Sequence, residues 1–228
     1  MSEEIFDVVN ERDEVIGQSP RQEVHARGLW HRAVHVLVFN ARGELFLQKR
    51  SLKKDIAGGK WDSSASGHLD TGELYDACAV REVREEIGLH LAQSPQRLFK
   101  IDACRETGWE FCWVYRCEYE GPFVLHPEEI ETGAWFAPAA VTKWVSEQPE
   151  DFASCFVLIW KKLFMEIAQL AQILVALGCP PGKSAEMAAQ LDKRAGQLAA
   201  EKKCAYEEAL RHLLALMKQG WAAQGKVA

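Results

Sequence analysis

The chain has 228 residues, with 27 Lys and Arg against 33 Asp and Glu, a net charge of −6, and it is 48% hydrophobic and 26% charged. That balance suits a chain able to bury a core and excludes a disordered chain, a collagen-like fibre and a disulfide miniprotein. The charge is uneven, 17 − 26 = −9 over residues 1–150 and 10 − 7 = +3 over residues 151–228, and an acidic main body argues against a nucleic-acid binder.

Residues 5–17 predict two short strands around the polar turn Asn10–Asp13. A helix is expected next, capped by Ser19, with Pro20 at its first position and Gly28 as its stop. The β-branched run Ala33–Phe39 predicts a buried strand. A turn at Asn40–Gly43 then returns the chain through Glu44–Gln48 as its hairpin partner. After a loop over 51–67, a helix is predicted from Gly72 to Ile87, closed by Gly88. Strands are expected at 97–104, 110–119 and 134–136, and Pro138 opens a further helix. This order predicts an α/β body over residues 1–150.

Residues 151–228 change character. Phe152, Cys155, Phe156, Ile159, Trp160 and Leu163 begin a run of helical i, i+3, i+4 spacing that reaches Leu177. Gly178–Gly182 interrupts it, and Ser184 is placed to cap one last helix. The expectation is a helical hairpin appended to the body, its apolar stripe packed on that body or, as the second reading, forming a homodimer.

The N-terminus is acidic where a secretory signal is basic and then apolar, and no apolar run reaches the roughly 18–20 residues of a membrane span. A cytoplasmic location without membrane contact is expected. Seven scattered cysteines read as reduced thiols, because Cys112 and Cys117 have no second close pair to complete a four-ligand zinc pattern.

The chemistry concentrates between Gly67 and Leu89. Glu82, Glu85 and Glu86 are spaced i, i+3, i+4, so a helix puts the three carboxylates on one face. Crowded carboxylates repel. Either a hard divalent cation relieves them, or Arg81 and Arg84 neutralise them in a surface network.

Gly67, Glu73, Arg81-Glu82, Glu85-Glu86 and Gly88-Leu89 stand at the spacing of a Nudix box, and the chain resembles the Nudix superfamily over residues 5–150. The resemblance implies an α/β/α sandwich and a metal-dependent hydrolase of small-molecule diphosphates, with Mg²⁺ or Mn²⁺ as cofactor. It makes Glu82, Glu85, Glu86 and the Gly67 carbonyl metal ligands, with Glu73 and Arg81 orienting the carboxylates. Outside the box, Glu110 or Glu129 either completes the metal cluster, serves as the base, or is a plain surface glutamate.

The flanks are similar to type 1 isopentenyl-diphosphate isomerases, through His25, Gly28, His31-Arg32-Ala33, Gln48–Asp55, Gly59–Ser64 and Gly67-His68. In those enzymes a cysteine precedes the Gly-His pair and histidines bind a metal. Here that position is Ser66, a poor substitute for a thiol in proton transfer. Gly108 stands where a glutamate is expected, while Glu85-Glu86 is kept where the isomerases lose the pair. All three departures favour a hydrolase of the isomerase-like branch over an isomerase. Arg50 and Lys54 fall where the isomerases hold the diphosphate, or form a basic surface loop. His31, His68 and Glu110 match the isomerases' metal-binding pattern and His25 sits close to another of its histidine ligands, while by residue type the three histidines read as hydrogen-bonded structural ones. A non-catalytic ligand-binding module is the reading from another class.

Overall fold

A computed structural model describes residues 4–202, 204 and 206–224. Two compact units divide between Trp160 and Lys161. In the first, β1 (Ile5–Val9) and β2 (Val15–Pro20) form an antiparallel hairpin, followed by α1 (Arg21–Arg27). A seven-stranded mixed sheet holds β3 (His31–Phe39), β4 (Leu45–Arg50), β5 (Trp61–Asp62), β6 (Ala65–His68), β7 (Gln96–Ile101), β8 (Glu110–Glu118) and β9 (Ile130–Phe136). Its path runs β5-β4-β3-β8-β7, with β6 also pairing β3 and β9 pairing β4. The central pair β3 and β8 is parallel, and the other pairs are antiparallel. Beside the sheet lie α2 (Tyr75–Ile87) and α3 (Pro138–Glu147), and α4 (Ser154–Ala176) begins after a 3-10 turn at Pro149–Asp151.

The sheet's two faces follow from strand alternation. Val34, Val36 and Val38 of β3, with Tyr115 of β8, pack on Ala79, Val83 and Ile87 of α2. The alternate residues His31, Ala33, His35 and Leu37 turn to the opposite face, and all four are buried. On α2 the buried positions are Cys78, Ala79, Glu82, Val83, Glu86 and Ile87, a helical stripe that includes two glutamates. Gly88 ends the helix in the left-handed region at φ 68°, as expected.

Local expectations fail at three points. Ser19 does not cap α1. The strand β2 runs through Pro20, which occupies the cap position without a side-chain bond, and the Ser19 hydroxyl donates to Glu23 instead. Ser184 likewise does not cap, because α5 already begins at Pro181, a residue suited to a first turn, and Ser184 donates back to the Pro181 carbonyl. The last helix is two, α5 (Pro181–Lys202) and α6 (Tyr206–Gln224).

The second unit has its own core. Leu170, Leu174, Ala188 and Leu191 are buried together, with Leu210 and Leu214 against them. Among the described residues no helix is long and apolar enough to cross a membrane.

Candidate active site

Strand β6 organises the chemistry. Gly67 pairs with Val34 and therefore faces α2, whereas His68 pairs with Ala33 and faces the other way. Two groups of side chains result, one on each side of the strand.

On the α2 side the backbone of Gly67 lies against the Glu82 carboxylate. A Cβ at residue 67 would fall 2.1 Å from Glu82 Oε1, so only glycine leaves that carboxylate its place. Glu86 sits one turn further along. Its Oε2 accepts from Gln48 Nε2 at 2.9 Å and from the Ser66 amide at 3.0 Å. Burial pushes Glu86 up to about 8, with the Glu82 charge adding and the Ser66 amide and Arg50 opposing. Burial pushes Glu82 up to about 7 against the pull of Arg81.

Arg81 holds the helix face in register. It donates to both Glu73 oxygens (3.0 and 2.7 Å), to Glu82 (2.7 Å), to Glu85 (3.3 Å) and to the His68 carbonyl (2.9 Å). Such a two-pronged guanidinium–carboxylate pair fixes orientation as well as charge. One cation shared among three carboxylates leaves the cluster negative. The three box glutamates also differ, since Glu82 and Glu86 point inward while Glu85 is half-exposed between Arg81 and Arg84.

Arg50, Lys54 and Glu129 join this group. The charges of Arg50 and Glu129 both act on Glu86. Arg50 is braced by Asp62 at 3.3 Å and by the Ile56 carbonyl at 3.2 Å. Lys54 forms an ion pair with Glu129. The 126–130 turn is tied to α2 by the His126 amide, which donates to the Glu86 carbonyl at 2.8 Å. Glu110 does not belong here.

Glu110, first residue of β8, lies on the other side. Its Oε1 is 2.9 Å from His68 Nε2 and 3.4 Å from His31 Nε2. One ligand atom from each of His25, His31, His68 and Glu110 falls within 4.8 Å of all the others. Burial alone would raise Glu110, but His68 and His31 outweigh it and hold the carboxyl well below its usual range. His25 goes down to about 4, through burial first and then the His68 and His31 charges. Among the described residues, the buried Nε2 atoms of His25 and His31 have no hydrogen-bond partner. Phe6 of β1 covers the cluster, its ring centroid 4.6 Å from that of His68.

Gln48 escaped the sequence reading as a site residue. A wholly buried glutamine on the core strand Leu45–Arg50 is itself the signal, because a buried amide needs a polar partner. Its Oε1 has none, beside a carboxylate cluster with surplus negative charge.

A family model for the NUDIX domain matches residues 29–154. An uncharacterized Nudix hydrolase of Yersinia pestis is 36% identical over 151 residues, 65% of this chain and 81% of that protein. The Nudix hydrolase YfcD of Escherichia coli K12 is 32% identical over 164 residues, 71% of this chain and 88% of that protein. Among solved structures, DR0079 from Deinococcus radiodurans is similar at a TM-score of 0.58 and 30% identity, covering 64% of this chain and 90% of that one.

Proposed function

The chain belongs to the NUDIX domain family and is a Nudix-type hydrolase, and from that premise we propose that it cleaves the diphosphate linkage of a small-molecule metabolite at the Glu82–Glu86 face of α2. The observation that carries this reading is the pair of buried carboxylates, both pushed toward neutrality by burial, Glu82 bonded to Arg81 and Glu86 acted on by the charge of Arg50. Nudix hydrolases use divalent metal ions, and the donor set fits one: oxygen ligands, excess negative charge and the orphaned Gln48 Oε1.

Glu82, Glu86, the half-exposed Glu85 and the Gly67 carbonyl are the residues to hold Mg²⁺ or Mn²⁺. A bound cation there neutralises diphosphate oxygens and lowers the pKa of water. Arg81 keeps Glu82 and Glu73 oriented. Arg50 and Lys54, beside the carboxylates, supply positive charge for the terminal phosphate oxygens. Glu129, whose charge acts on Glu86 and whose carboxylate pairs with Lys54, is the residue to accept a proton from the attacking water. No feature selects among nucleoside, sugar, cofactor and prenyl substrates.

The histidine cluster supports placing the chain in the isomerase-like branch, since His25, His31, His68 and Glu110 converge as the resemblance implies. Ser66 in place of cysteine and the intact Glu85-Glu86 pair favour hydrolysis within that branch. An isomerase reading requires conversion of isopentenyl diphosphate to dimethylallyl diphosphate, and none is expected under any metal.

The test is phosphate or pyrophosphate-fragment release from a panel of those four diphosphate classes with Mg²⁺ or Mn²⁺. One class should be cleaved, and Glu86→Gln should slow it about 10²–10³-fold, the range for losing one group that stabilises charge in the reaction. Ligand binding without cleavage of any class would overturn the hydrolytic assignment of this face and leave a binding module.

A further inference from the structure

A third convergence of donors lies on the same face of the sheet as the imidazole group and next to it. We infer that His35, Cys112 and Cys155 form a thiolate–imidazole site for a soft divalent cation, with Zn²⁺ the ion that its donors suit. The three residues come from three elements. Cys112 of β8 pairs with Ala33 in the parallel register, which sets its side chain on the same face as His35, two residues along β3. The first turn of α4 brings Cys155 onto them. One ligand atom from each lies within 4.8 Å of the other two.

The spacing fits a metal. The two Sγ atoms are 3.7 Å apart. Zinc bound at about 2.3 Å to each of two thiolates, at a tetrahedral angle, sets their sulfurs about 3.7–3.8 Å apart, whereas a disulfide needs about 2.05 Å. His35 is oriented as metal-binding histidines are. Its Nδ1 is 2.8 Å from Ser63 Oγ and 3.7 Å from Asp62 Oδ1, which leaves Nε2 to ligate. Asp62 is in turn fixed by the Ser63 amide at 2.7 Å and by Arg50. The Glu110 carbonyl and Oε2 lie 3.6 and 3.7 Å from Cys112 Sγ, so oxygen donors for a fourth position border the site. All three donors are buried, so a cation there is closed off from solvent and binding is coupled to folding. Its role is to pin the first turn of α4 to the central strands.

The test is a Co²⁺ titration of the metal-stripped full chain, followed by displacement with Zn²⁺. The result expected is a near-ultraviolet thiolate-to-cobalt charge-transfer band, saturating at about one ion per chain and bleached by Zn²⁺. The band should vanish in Cys112→Ser and Cys155→Ser and persist in Glu86→Gln and His68→Gln. Persistence there, whatever the diphosphate assay shows, separates this site from the hydrolytic one. Because a buried cysteine variant can fail to fold, X-ray absorption of the zinc-loaded wild-type chain reads the same question directly. A sulfur shell at about 2.3 Å supports the site. Cobalt binding without the band, a zinc shell of nitrogen and oxygen alone, or a Cys112–Cys155 disulfide in protein purified with a thiol reductant present overturns it.

Discussion

The two donor groups flank the same strand, β6, and are largely buried, yet they hold charge in opposite ways. On the α2 side, Glu82 and Glu86 face each other with Arg81 divided among Glu73, Glu82 and Glu85, and burial drives both acids toward their neutral form. Across the strand, Glu110 is surrounded by imidazoles and stays ionised, while burial keeps His25 uncharged. The lesson is that burial alone does not make a metal site. What matters is whether the buried charge is already balanced. On the α2 side the charge that a divalent cation would relieve develops as the two acids ionise, whereas across the strand one ionised carboxylate already sits among uncharged imidazoles.

The sharpest way to break the first group without touching the fold is Gly67→Ala. The new Cβ meets the far end of a flexible Glu82 side chain, which can swing away. The protein should keep its circular dichroism and lose about 10²-fold in hydrolysis, the cost of moving a reacting group by about an ångström. Next is Arg81→Lys, which replaces a two-pronged contact with a point charge and frees Glu82 to turn. Activity or Mg²⁺ affinity should fall about 10–100-fold. A steady-state assay across Mg²⁺ concentrations distinguishes the two.

The groups should also oppose each other in stability. Glu82 and Glu86 have folded pKa values above the ordinary 4.5, so their contribution is complete below that pH and is lost as pH rises through about 7 and 8. His25 is depressed from 6.5 to about 4, so its contribution is present above 6.5 and is lost as pH falls toward 4. Glu110, also depressed, adds to the acid-side loss. Denaturant titrations with a chelator should show both losses. Added Mg²⁺ should restore the alkaline one, on the order of a few kcal/mol at most. A Mg²⁺ effect that is flat from pH 5 to pH 8 would detach the cation from these glutamates. The smallest change is expected from His25→Gln. Its Nε2 has no hydrogen-bond partner among the described residues, so metal-free stability at neutral pH should move by no more than about 1 kcal/mol, the centre of the range for single substitutions, in a thermal melt.

The fold and the box were readable because their signals are local. Valines at alternate positions of Ala33–Phe39 give a strand, and Gly88 gives a stop. The spacing of Glu82, Glu85 and Glu86 gave a shared helix face but not its depth: 82 and 86 differ by four and fall on the buried stripe, while 85 slips to its edge. Glu110 and Glu129 were indistinguishable by type, and only the sheet order separates them, because the parallel register sets Glu110 beside His31. Cys112 was weighed against Cys117, its neighbour in sequence. Its neighbour in space is Cys155, 43 positions away, which no spacing rule reaches. The cap at Ser19 failed for a related reason, since pairing with β1 continues to Pro20 and overrides the local preference.

The contacts that define Glu86 have a consequence for the order of events during synthesis. Its oxygen is met by Gln48, 38 positions earlier, and by the Ser66 amide, 20 earlier, while its carbonyl accepts from His126 in a segment made later. A growing chain that has produced only α2 exposes these acids to water, where they are hydrated and ordinary in acidity. Closing such distant contacts costs entropy before any of them stabilises the chain. The site is therefore absent from the nascent chain until the segment around Glu129 has been made, so a truncated product ending before it would carry an intact box motif and no assembled centre.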